Sequence, residues 1–518
     1  MKKESNLMNE VLDVAIRRGF FIPTAEIYGG VAGEYDYGPL GTYLKRNVIE
    51  KWRGFFVYDE ESVWEIDGNV ILPEPVLRAS GHVENFVEPI ARCKKCGAIY
   101  RVDKLIEEKL GMSVEGYPIE KLSEILREKK ISCDECGGEL GEIKVFNVMF
   151  SLSIGPTGKI RGYLRPETAQ NIFIGFNRIW LATRAKLPFA IAQIGKSFRN
   201  EISPRQFLYR LREFTQMEIE QFGTPDIFAK HPRFDEVEDV TINFVPAKGE
   251  NANKTVKLKV KDAVEKGIFP NEYYAYFIAK TYLFYRSLGI RDEDIRFREI
   301  PDNERPFYSR MNVDVELNLS IGWKEVEGTA YRTDYDLKKH SEHSRVKLAV
   351  QENGKLIIPE VIEASFGIER TIMALLETFY RPEGYDREWS WFAFPPEIAP
   401  IIAGIYPLLK RDQFISKARE LYLSLRKRKF NVIFDERGSI GRRYARADEI
   451  GIPFCITIDY QTFEDDTVTI RDRDSREQVR VPISEIEEIL TKLKKGIMTF
   501  LDLKQKYPVV VKSERKKG

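Results

Sequence analysis

The chain has 518 residues, of which 43% are hydrophobic and 31% are charged, and its formal net charge is only +1. This balance excludes a protein that holds nucleic acid through an overall basic field, and it leaves local basic patches as the means of contact. The length predicts roughly two to four domains. The N-terminus lacks the apolar core of a signal peptide and no apolar run approaches about 18 residues, so we expect a cytoplasmic protein without a membrane span.

Two helices are predicted near the start of the chain, over residues 8–19 and 39–56. The second, PLGTYLKRNVIEKWRGFF, has a proline at a first-turn position and places its apolar residues along one helix face. The following run, ESVWEIDGNVIL, has the composition of a strand and is broken by Pro73 and Pro75. We therefore expect a long amphipathic helix followed by a strand.

Four of the five cysteines form two CxxC pairs, Cys93 with Cys96 and Cys133 with Cys136. A glycine follows each pair, and it lets the backbone turn so that amide groups face the thiolate sulfur atoms. Disulfides are the alternative, but a reducing compartment argues against them. The matched spacing therefore predicts a structural Zn²⁺ bound by the four thiolates, with a charged helical insert between the two pairs.

Residues 197–222, SFRNEISPRQFLYRLREFTQMEIEQF, mix charges of both signs with aromatic side chains. The alternation in FTQMEIEQF is typical of a strand with one polar face, and a solvated hairpin with surface ion pairs is the alternative. The segments GYLRPETAQNIF, KEVEGTAYRTDYDL and IPEVIEASFGIER also place charges among apolar residues. Buried charges need partners or a charged ligand, so we expect arginines that bind a polyphosphate with its metal ion and carboxylates that bind an ammonium group.

Residues 225–310 differ in character from the rest, because an exposed strand precedes a helix rich in aromatic residues, and we expect an insertion in the core domain. After Trp391 strands and helices alternate, which predicts a compact α/β domain of about 100 residues. Its basic residues cluster at 426–429 and 441–446. Either cluster alone is typical of a solvated helix face, whereas two clusters with Tyr444 among them favour a surface that binds nucleic acid.

The charged segments resemble those of a known family. SFRNE followed by RLREF resembles the second signature of class II aminoacyl-tRNA synthetases, and FGIER resembles the third. Together with DYGPLGTYLKRNVIEKW, RASGHVENF, YLRPETAQ and EASFGIER, they make the chain similar, from about residue 18 to residue 482, to the glycyl-tRNA synthetases of the homodimeric type. The resemblance implies an α+β fold, with an antiparallel-sheet catalytic domain, a zinc-binding insertion and a C-terminal α/β anticodon-binding domain.

The resemblance also implies an order of domains, in which two insertions divide the catalytic core and a short tail ends the chain. The expected boundaries are 1–92, 146–224 and 311–390 for the catalytic core, 93–145 for the zinc-binding insertion, 225–310 for the second insertion, 391–495 for the anticodon-binding domain and 496–518 for the tail.

By the same resemblance, ATP is expected to bind to the arginine-rich segments. Arg199 would hold the α-phosphate and Arg370 the γ-phosphate, and these two are the expected catalytic residues. Phe214 would stack under the adenine, and Glu325 would contact ATP or its Mg²⁺. The positions expected to bind ATP are Arg199, Asn200, Glu201, Tyr209, Arg210, Phe214, Glu325, Val326, Gly367 and Arg370.

Carboxylates are expected to hold the ammonium group of glycine, because this amino acid offers no side chain for recognition. Arg332 would contact the carboxylate of glycine. Many family members read Glu-Pro-Ser where this chain has Glu363-Ala364-Ser365, and we expect altered backbone rigidity there with the same substrate. The positions expected to bind glycine are Arg101, Glu167, Glu218, Arg332, Glu363 and Ser365.

The implied reaction is the attachment of glycine to tRNA(Gly) through glycyl-adenylate, with release of pyrophosphate. The implied partners are tRNA(Gly), glycine, ATP and a second copy of the chain, which would contact the 39–56 helix and the strand after it. Three alternatives are a synthetase for proline, threonine, serine or histidine, an inactive synthetase paralogue that serves as an accessory subunit, and a zinc-ribbon RNA-binding protein. The matching glycine positions argue against the first, the ATP arginines argue against the second, and the third leaves the buried carboxylates unexplained.

Overall fold

The computed structural model of the protein describes residues 4–112, 114, 116–202, 207–352 and 354–510. Residues 1–3 of the first expected domain and residues 511–518 of the expected tail lie outside these ranges. Within them, every helix is too short or too polar to cross a membrane.

The helices and strands alternate irregularly along the chain. The helices are α1 (Glu4–Arg17), α2 (Pro39–Arg53), α3 (Glu74–Ala79), α4 (His82–Asn85), α5 (Val102–Leu110), α6 (Ile119–Glu128), α7 (Ala169–Thr183), α8 (Pro225–Phe228), α9 (Val260–Glu265), α10 (Glu272–Ser287), α11 (Tyr335–Ser344), α12 (Ile368–Phe379), α13 (Asp412–Lys427), α14 (Ile440–Glu449), α15 (Thr462–Asp465), α16 (Ile486–Lys494) and α17 (Phe500–Lys506). The strands are β1 (Phe21–Pro23), β2 (Tyr35–Tyr37), β3 (Val63–Ile66), β4 (Ile71–Pro73), β5 (Val87–Arg92), β6 (Ile99–Arg101), β7 (Lys144–Asn147), β8 (Ser151–Ile154), β9 (Ile160–Leu164), β10 (Phe189–Phe198), β11 (Glu213–Gly223), β12 (Thr241–Val245), β13 (Val256–Lys259), β14 (Ile295–Glu299), β15 (Met311–Leu319), β16 (Gly322–Thr333), β17 (Val350–Glu352), β18 (Lys355–Ile357), β19 (Glu360–Gly367), β20 (Tyr380–Arg381), β21 (Trp391–Phe392), β22 (Ala403–Pro407), β23 (Val432–Phe434), β24 (Phe454–Ile458), β25 (Thr467–Asp472) and β26 (Gln478–Pro482).

A nine-stranded sheet forms the centre of the molecule, in the order β13-β12-β14-β15-β16-β19-β11-β10-β3. Its pairings are antiparallel except for β12 with β14 and β10 with β3, which are parallel. Side chains alternate between the two faces of a strand, and β11 shows the consequence. Met217 and Ile219 enter the large apolar core on one face, whereas Glu218 and Glu220 lie on the opposite, polar face.

The strands of the 225–310 segment, which we expected to form an insertion, continue the central sheet. β14 pairs with β15, and β12 and β13 extend the sheet to its edge. The aromatic side chains of α10 belong to the central core, where buried Tyr274 donates a hydrogen bond of 2.9 Å to the carbonyl oxygen of Thr329. The segment therefore shares its core with the flanking segments, which an alternating strand pattern alone does not disclose. The boundaries at 225 and 310 stay predictions.

Helix α2 lies between two apolar cores. Pro39 is its first residue, and a π-helical turn, Gly54–Tyr58, follows its end. Leu44 and Trp52 pack into the core under the central sheet, while Leu40 and Tyr43 contact the apolar cluster around α14. The helix thus joins the central sheet to the C-terminal part of the chain.

The C-terminal part is built on a five-stranded sheet in the order β23-β22-β24-β25-β26. The first three strands are parallel to one another, and β25 and β26 are antiparallel. Helices α13 and α16 pack their apolar residues against one face. The alternation of strands and helices after Trp391 is thus that of an α/β unit.

Candidate active site

A cavity of about 730 Å³ opens on the polar face of the central sheet. The register of the sheet sets its floor, since Glu218 of β11 lies opposite Ser365 of β19, which lies opposite Gly328 of β16. The glycine offers no side chain, so the floor leaves space at this point. The start of α12 and the edge of the cysteine-containing lobe form the walls.

The cavity brings together the residues that the sequence predicts for ATP and glycine, with two exceptions. Asn200 and Arg332 do not line it. The predicted residues that do line it are Arg101, Glu167, Arg199, Glu201, Tyr209, Arg210, Phe214, Glu218, Glu325, Val326, Glu363, Ser365, Gly367 and Arg370.

Glu218 is buried and held by several donors. Its carboxylate accepts hydrogen bonds from the amide and hydroxyl groups of Thr168, from Ser365 Oγ at 2.6 Å and from Gln216 Nε2 at 2.7 Å. Burial, and then the charge of Glu167, raise the pKa of Glu218. Its orientation is therefore fixed before any ligand enters.

Glu167 has imidazole, guanidinium and amide neighbours. His82 Nε2 lies 3.3 Å from its Oε2, and Gln170 Nε2 donates to its Oε1 at 2.8 Å. The other ring nitrogen of His82 contacts Ser80 Oγ at 2.8 Å, so the ring is held at both nitrogens. Burial alone would raise the pKa of Glu167, but His82 and then Arg332 act in the opposite direction, and the pKa is lowered.

Arg332 is fully buried behind the cavity and does not line it, and its predicted contact with glycine stays a prediction. Its Nη1 donates to both oxygens of Glu363 at 3.0 Å, and its Nε and Nη2 donate to Asp336 at 2.8 and 2.9 Å. Its guanidinium also lies 3.7 Å from the ring centre of Tyr308. Burial raises the pKa of Glu363 to about 8, although Arg332 acts against it. Arg332 thus positions Glu363 from behind the cavity wall.

The opposite end of the cavity contains cations with few partners. Arg199 lies between the rings of Phe86 and Phe214, at 5.2 and 5.3 Å from their centres. Its Nε donates to the carbonyl oxygen of Pro166 at 3.3 Å. The rings fix the plane of the guanidinium, and a phosphate could accept hydrogen bonds from its outer nitrogens.

Arg370 and Arg210 are also at this end. Arg370 Nη1 lies 3.0 Å from Glu325 Oε2, and its guanidinium is 5.3 Å from the ring centre of Tyr209. Tyr209 Oη donates to the carbonyl oxygen of Glu325 at 2.7 Å. Arg210 lies 3.6 Å from Glu201 and is 41% exposed. Because the Arg370–Glu325 and Arg210–Glu201 ion pairs are partly exposed, phosphate oxygens can replace the carboxylates with little loss of free energy.

The lobe at residues 87–147 contributes Arg101 to the cavity wall. Its guanidinium forms ion pairs with Glu88 and with Asp103, the latter at 2.8 Å. The neighbouring Tyr100 lies on the other side of the short strand β6, where its hydroxyl is 3.1 Å from Cys133 Sγ. One strand therefore connects the cavity wall to the cysteines.

The four predicted metal ligands, Cys93, Cys96, Cys133 and Cys136, have sulfur atoms that all lie within 4.8 Å of one another. The Cys93–Cys136 and Cys96–Cys133 separations are 3.6 and 3.5 Å. A tetrahedral zinc ion with Zn–S bonds of about 2.3 Å requires sulfur separations near ~3.8 Å, so the four thiols fit this ion. The glycine after each pair has a positive φ, 82° and 67°, as the sequence predicts for these turns.

Two domain families match the chain. The tRNA synthetase class II core domain (G, H, P, S and T) matches residues 157–242, and the anticodon binding domain matches residues 402–493.

Three relatives extend the similarity to nearly the whole chain. A glycine–tRNA ligase of Methanocaldococcus jannaschii is 41% identical over 94% of this chain and 99% of its own length. Those of Pyrococcus furiosus and Aeropyrum pernix are 41% and 40% identical over 93% and 94% of this chain, and over 98% and 96% of their own lengths. The chain belongs to the glycine–tRNA ligase family.

Membership of the glycine–tRNA ligase family confirms the family resemblance and the predicted α+β fold with a class II core and an anticodon-binding domain. It does not test individual residues, whose roles stay predictions.

Several cavity residues of this glycine–tRNA ligase family member were not predicted from the sequence. His82 lies in the segment RASGHVENF, which carried part of the resemblance without a role for the histidine. Asp314 lies opposite Gly328 on the polar face, and burial followed by Glu325 raises its pKa well above the usual value. The alternation in MNVDVEL could have placed Asp314 on the polar face, whereas nothing local indicates that His82 meets Glu167.

Proposed function

We propose that this protein is a glycine–tRNA ligase, which activates glycine with ATP to glycyl-adenylate and transfers glycine to the 3′ end of tRNA(Gly). The observation that carries the proposal is one cavity with buried carboxylates at one end and loosely paired arginines at the other. The first end suits an ammonium group, and the second suits a polyphosphate. The part of the cavity floor around Ser365 and Gly367 lies between these two ends.

Glycine would bind with its ammonium group among Glu167, Glu218 and Glu363. Each carboxylate is already held by neighbouring donors, so binding requires little reorganisation. Selectivity follows from the packing, because a larger amino acid would press its side chain into these polar walls and leave buried groups without partners. Arg332 would take part by holding Glu363.

ATP would bind with its adenine on Phe214 and its α-phosphate at Arg199. Arg370 would meet the γ-phosphate after exchanging part of its contact with Glu325. The glycine carboxylate attacks the α-phosphorus, pyrophosphate leaves, and the arginines stabilise the negative charge that develops. Mg²⁺ would be held by the oxygen ligand Glu325, with Asp314 beside it, and would supply charge neutralisation on the phosphates.

In the second step the terminal ribose hydroxyl of the tRNA attacks the glycyl carbonyl, and AMP leaves. We assign no general base to this step. Residues 391–495 would bind the anticodon, and in the 441–446 cluster exposed Arg442 and half-buried Arg446 would face it. Arg443 of the same cluster is buried and donates to the carbonyl oxygen of Pro407, so it has a structural role. The four thiolates would bind a structural Zn²⁺, which stabilises the lobe that carries Arg101.

We further propose a homodimer. What supports it is the edge strand β3, which among the described strands pairs only with β10, and exposed Trp64 on that strand. Helix α2, the other expected contact, already packs within its own chain on two sides. Since charged tRNA is consumed by translation, we place the enzyme in the cytoplasm.

Exchange of pyrophosphate into ATP, without tRNA, tests the activity directly. We expect exchange with glycine and none with alanine, serine, proline or threonine, and loss of that exchange in Arg199→Ala. Exchange with another amino acid would keep the fold and overturn the substrate. A folded, zinc-replete sample without exchange for any of them would favour an accessory subunit.

A further inference from the structure

A further buried carboxyl group, that of Glu220, lies next to the proposed ammonium site, and the mechanism above does not use it. Glu220 of β11 lies directly opposite Glu363 of β19, on the same face of the sheet as Glu218. Side chains directly opposite each other in an antiparallel pair have Cβ atoms about 4.5–5.5 Å apart, and like charges at such positions repel. Glu220 is 0% exposed and does not line the cavity.

The two carboxyl groups of this pair differ in their partners. Both oxygens of Glu363 accept hydrogen bonds from Arg332. Both oxygens of Glu220 are buried, and in the described part of the chain neither has a hydrogen-bond partner. An ionised carboxylate is strongly disfavoured in such a place, and a group of this kind takes up a proton instead.

The surrounding charges do not change this conclusion. The charged groups that act on Glu220 are Glu363 of β19, Glu218 of β11, Asp336 of α11 and Arg332 at the end of β16. Arg332 is the single cation among them, and Asp336 and Glu363 occupy its donors. Glu363 is further acted on by Glu167, and Tyr308 lies beside Arg332. The neighbourhood therefore holds more carboxyl groups than cations.

We propose that Glu220 and Glu363 share one proton in the glycine-free enzyme, and that the glycine ammonium displaces this proton into solvent when it binds. The inference rests on the proposed function, because it takes glycine as the ligand. Glu220 acts as a positioning residue, since it sets the charge of Glu363 without touching the ligand. Burial and then the charge of Glu363 raise the pKa of Glu220 well above its usual value, which agrees with a shared proton.

The pH dependence follows from the direction of the proton transfer. Glycine binds the deprotonated pair, so its affinity is full above the pKa of the pair and falls as the pH drops below it. With one proton released, the KM for glycine should rise about tenfold for each pH unit below that pKa and level off above it. Because burial raises the pKa values of both Glu220 and Glu363, the KM should begin to level off well above the usual pKa range of a glutamate.

The first experiment measures the KM for glycine in pyrophosphate exchange, at saturating ATP, from about pH 6 to about pH 8.5, where free glycine keeps its ammonium charge. Glu220→Gln removes the repelling carboxyl group and supplies an amide that can donate to Glu363. We therefore expect the pH at which the KM for glycine levels off to fall by about one unit or more, with kcat unchanged. Glu327→Gln is the matched control. Glu327 is also a buried carboxyl group with an unpartnered oxygen, but it lies opposite Phe366, on the core face of the same sheet, and its variant should keep the wild-type profile.

The second experiment needs no variant. Calorimetric titration of the wild type with glycine, in two buffers of different ionisation enthalpy, should show release of about one proton at pH ~7 and less at pH ~8.5. A wild-type KM that does not depend on pH, an equal profile for Glu220→Gln, or heats that do not depend on the buffer would overturn the shared proton while the exchange activity stands. Absence of glycine exchange at every pH would overturn the proposed function and this inference together.

Discussion

The two ends of the cavity are built on opposite principles. At the carboxylate end, Glu167, Glu218 and Glu363 are buried and each accepts hydrogen bonds from neighbours that are themselves held in place. At the arginine end, Arg210 and Arg370 each make one ion pair with a described residue, at 3.6 and 3.0 Å, and stay partly exposed. The carboxylate end is thus preorganised in the absence of ligand. At the arginine end the charges are in place, but their ion pairs are weak and partly exposed.

This difference corresponds to the ligands that we propose. Glycine is small and offers few atoms, so discrimination depends on walls that cannot adjust. ATP carries a ring and three phosphates, and its binding energy can reorganise exposed side chains at little cost. Substitutions at the carboxylate end should therefore affect both stability and the KM for glycine, whereas those at the arginine end should affect ATP binding and catalysis with little change in stability.

The largest effect is expected from Arg332→Gln. The change leaves Glu363 and Asp336 buried without their shared cation, and breaking a buried pair in this way costs about 3–5 kcal/mol of unfolding free energy. The KM for glycine should rise in the same variant, because Glu363 loses the donor that orients it. Chemical denaturation and pyrophosphate exchange measure the two quantities.

Arg370→Gln is the matched control for that prediction. It removes the same charged group from the arginine end, where the pair with Glu325 is partly exposed, so the unfolding free energy should change by less than about 1 kcal/mol. Equal destabilisation by the two variants would contradict the proposed difference between the ends.

Arg199→Ala should produce the next largest effect, and on activity alone. Removal of one preorganised donor from a site of charge development lowers the rate by about 10²–10³. Within the described residues, the side chain of Arg199 donates one hydrogen bond, to the carbonyl oxygen of Pro166 at 3.3 Å, so we expect little change in thermal stability. Single-turnover formation of the adenylate measures the rate, and a variant with the wild-type rate would exclude Arg199 from the chemistry.

The sequence predicts the residues on the cavity floor better than those behind it. Glu218 and Ser365 belong to strands whose alternation indicates a polar face, and Arg199 and Arg370 belong to signatures of the family. The inward position of Arg332 depends on Asp336 in the following helix and on Glu363 in another strand, which only the tertiary structure brings together. For the same reason the alternating pattern at 256–259 indicates a strand but not the sheet that it joins.

Ser365→Ala should produce a smaller effect at the carboxylate end. It removes the donor at 2.6 Å from Glu218, while Thr168 and Gln216 still donate to that carboxylate. A hydrogen bond to a charged group contributes about 1.5–3 kcal/mol, and with three donor groups left we expect the low end, which is about a tenfold rise in the KM for glycine. The KM for ATP should not change. A rise in both constants would indicate that the two ends are coupled through the floor.

The smallest effect on catalysis is expected from Tyr100→Phe. This variant tests whether the cysteine-containing lobe helps to fix the residues at one end of the cavity. Tyr100 and Arg101 are neighbours on β6 and point to opposite sides, one toward Cys133 Sγ and the other toward the cavity. Loss of a hydrogen bond to a metal-bound thiolate weakens metal affinity by about tenfold or more, which competition with a chromogenic chelator measures. Arg101 keeps its ion pairs with Glu88 and Asp103, so exchange by the metal-loaded variant should change by less than about twofold. A larger loss of exchange at full metal occupancy would mean that the thiolate contact fixes Arg101, and the lobe would then count as part of the preorganised end.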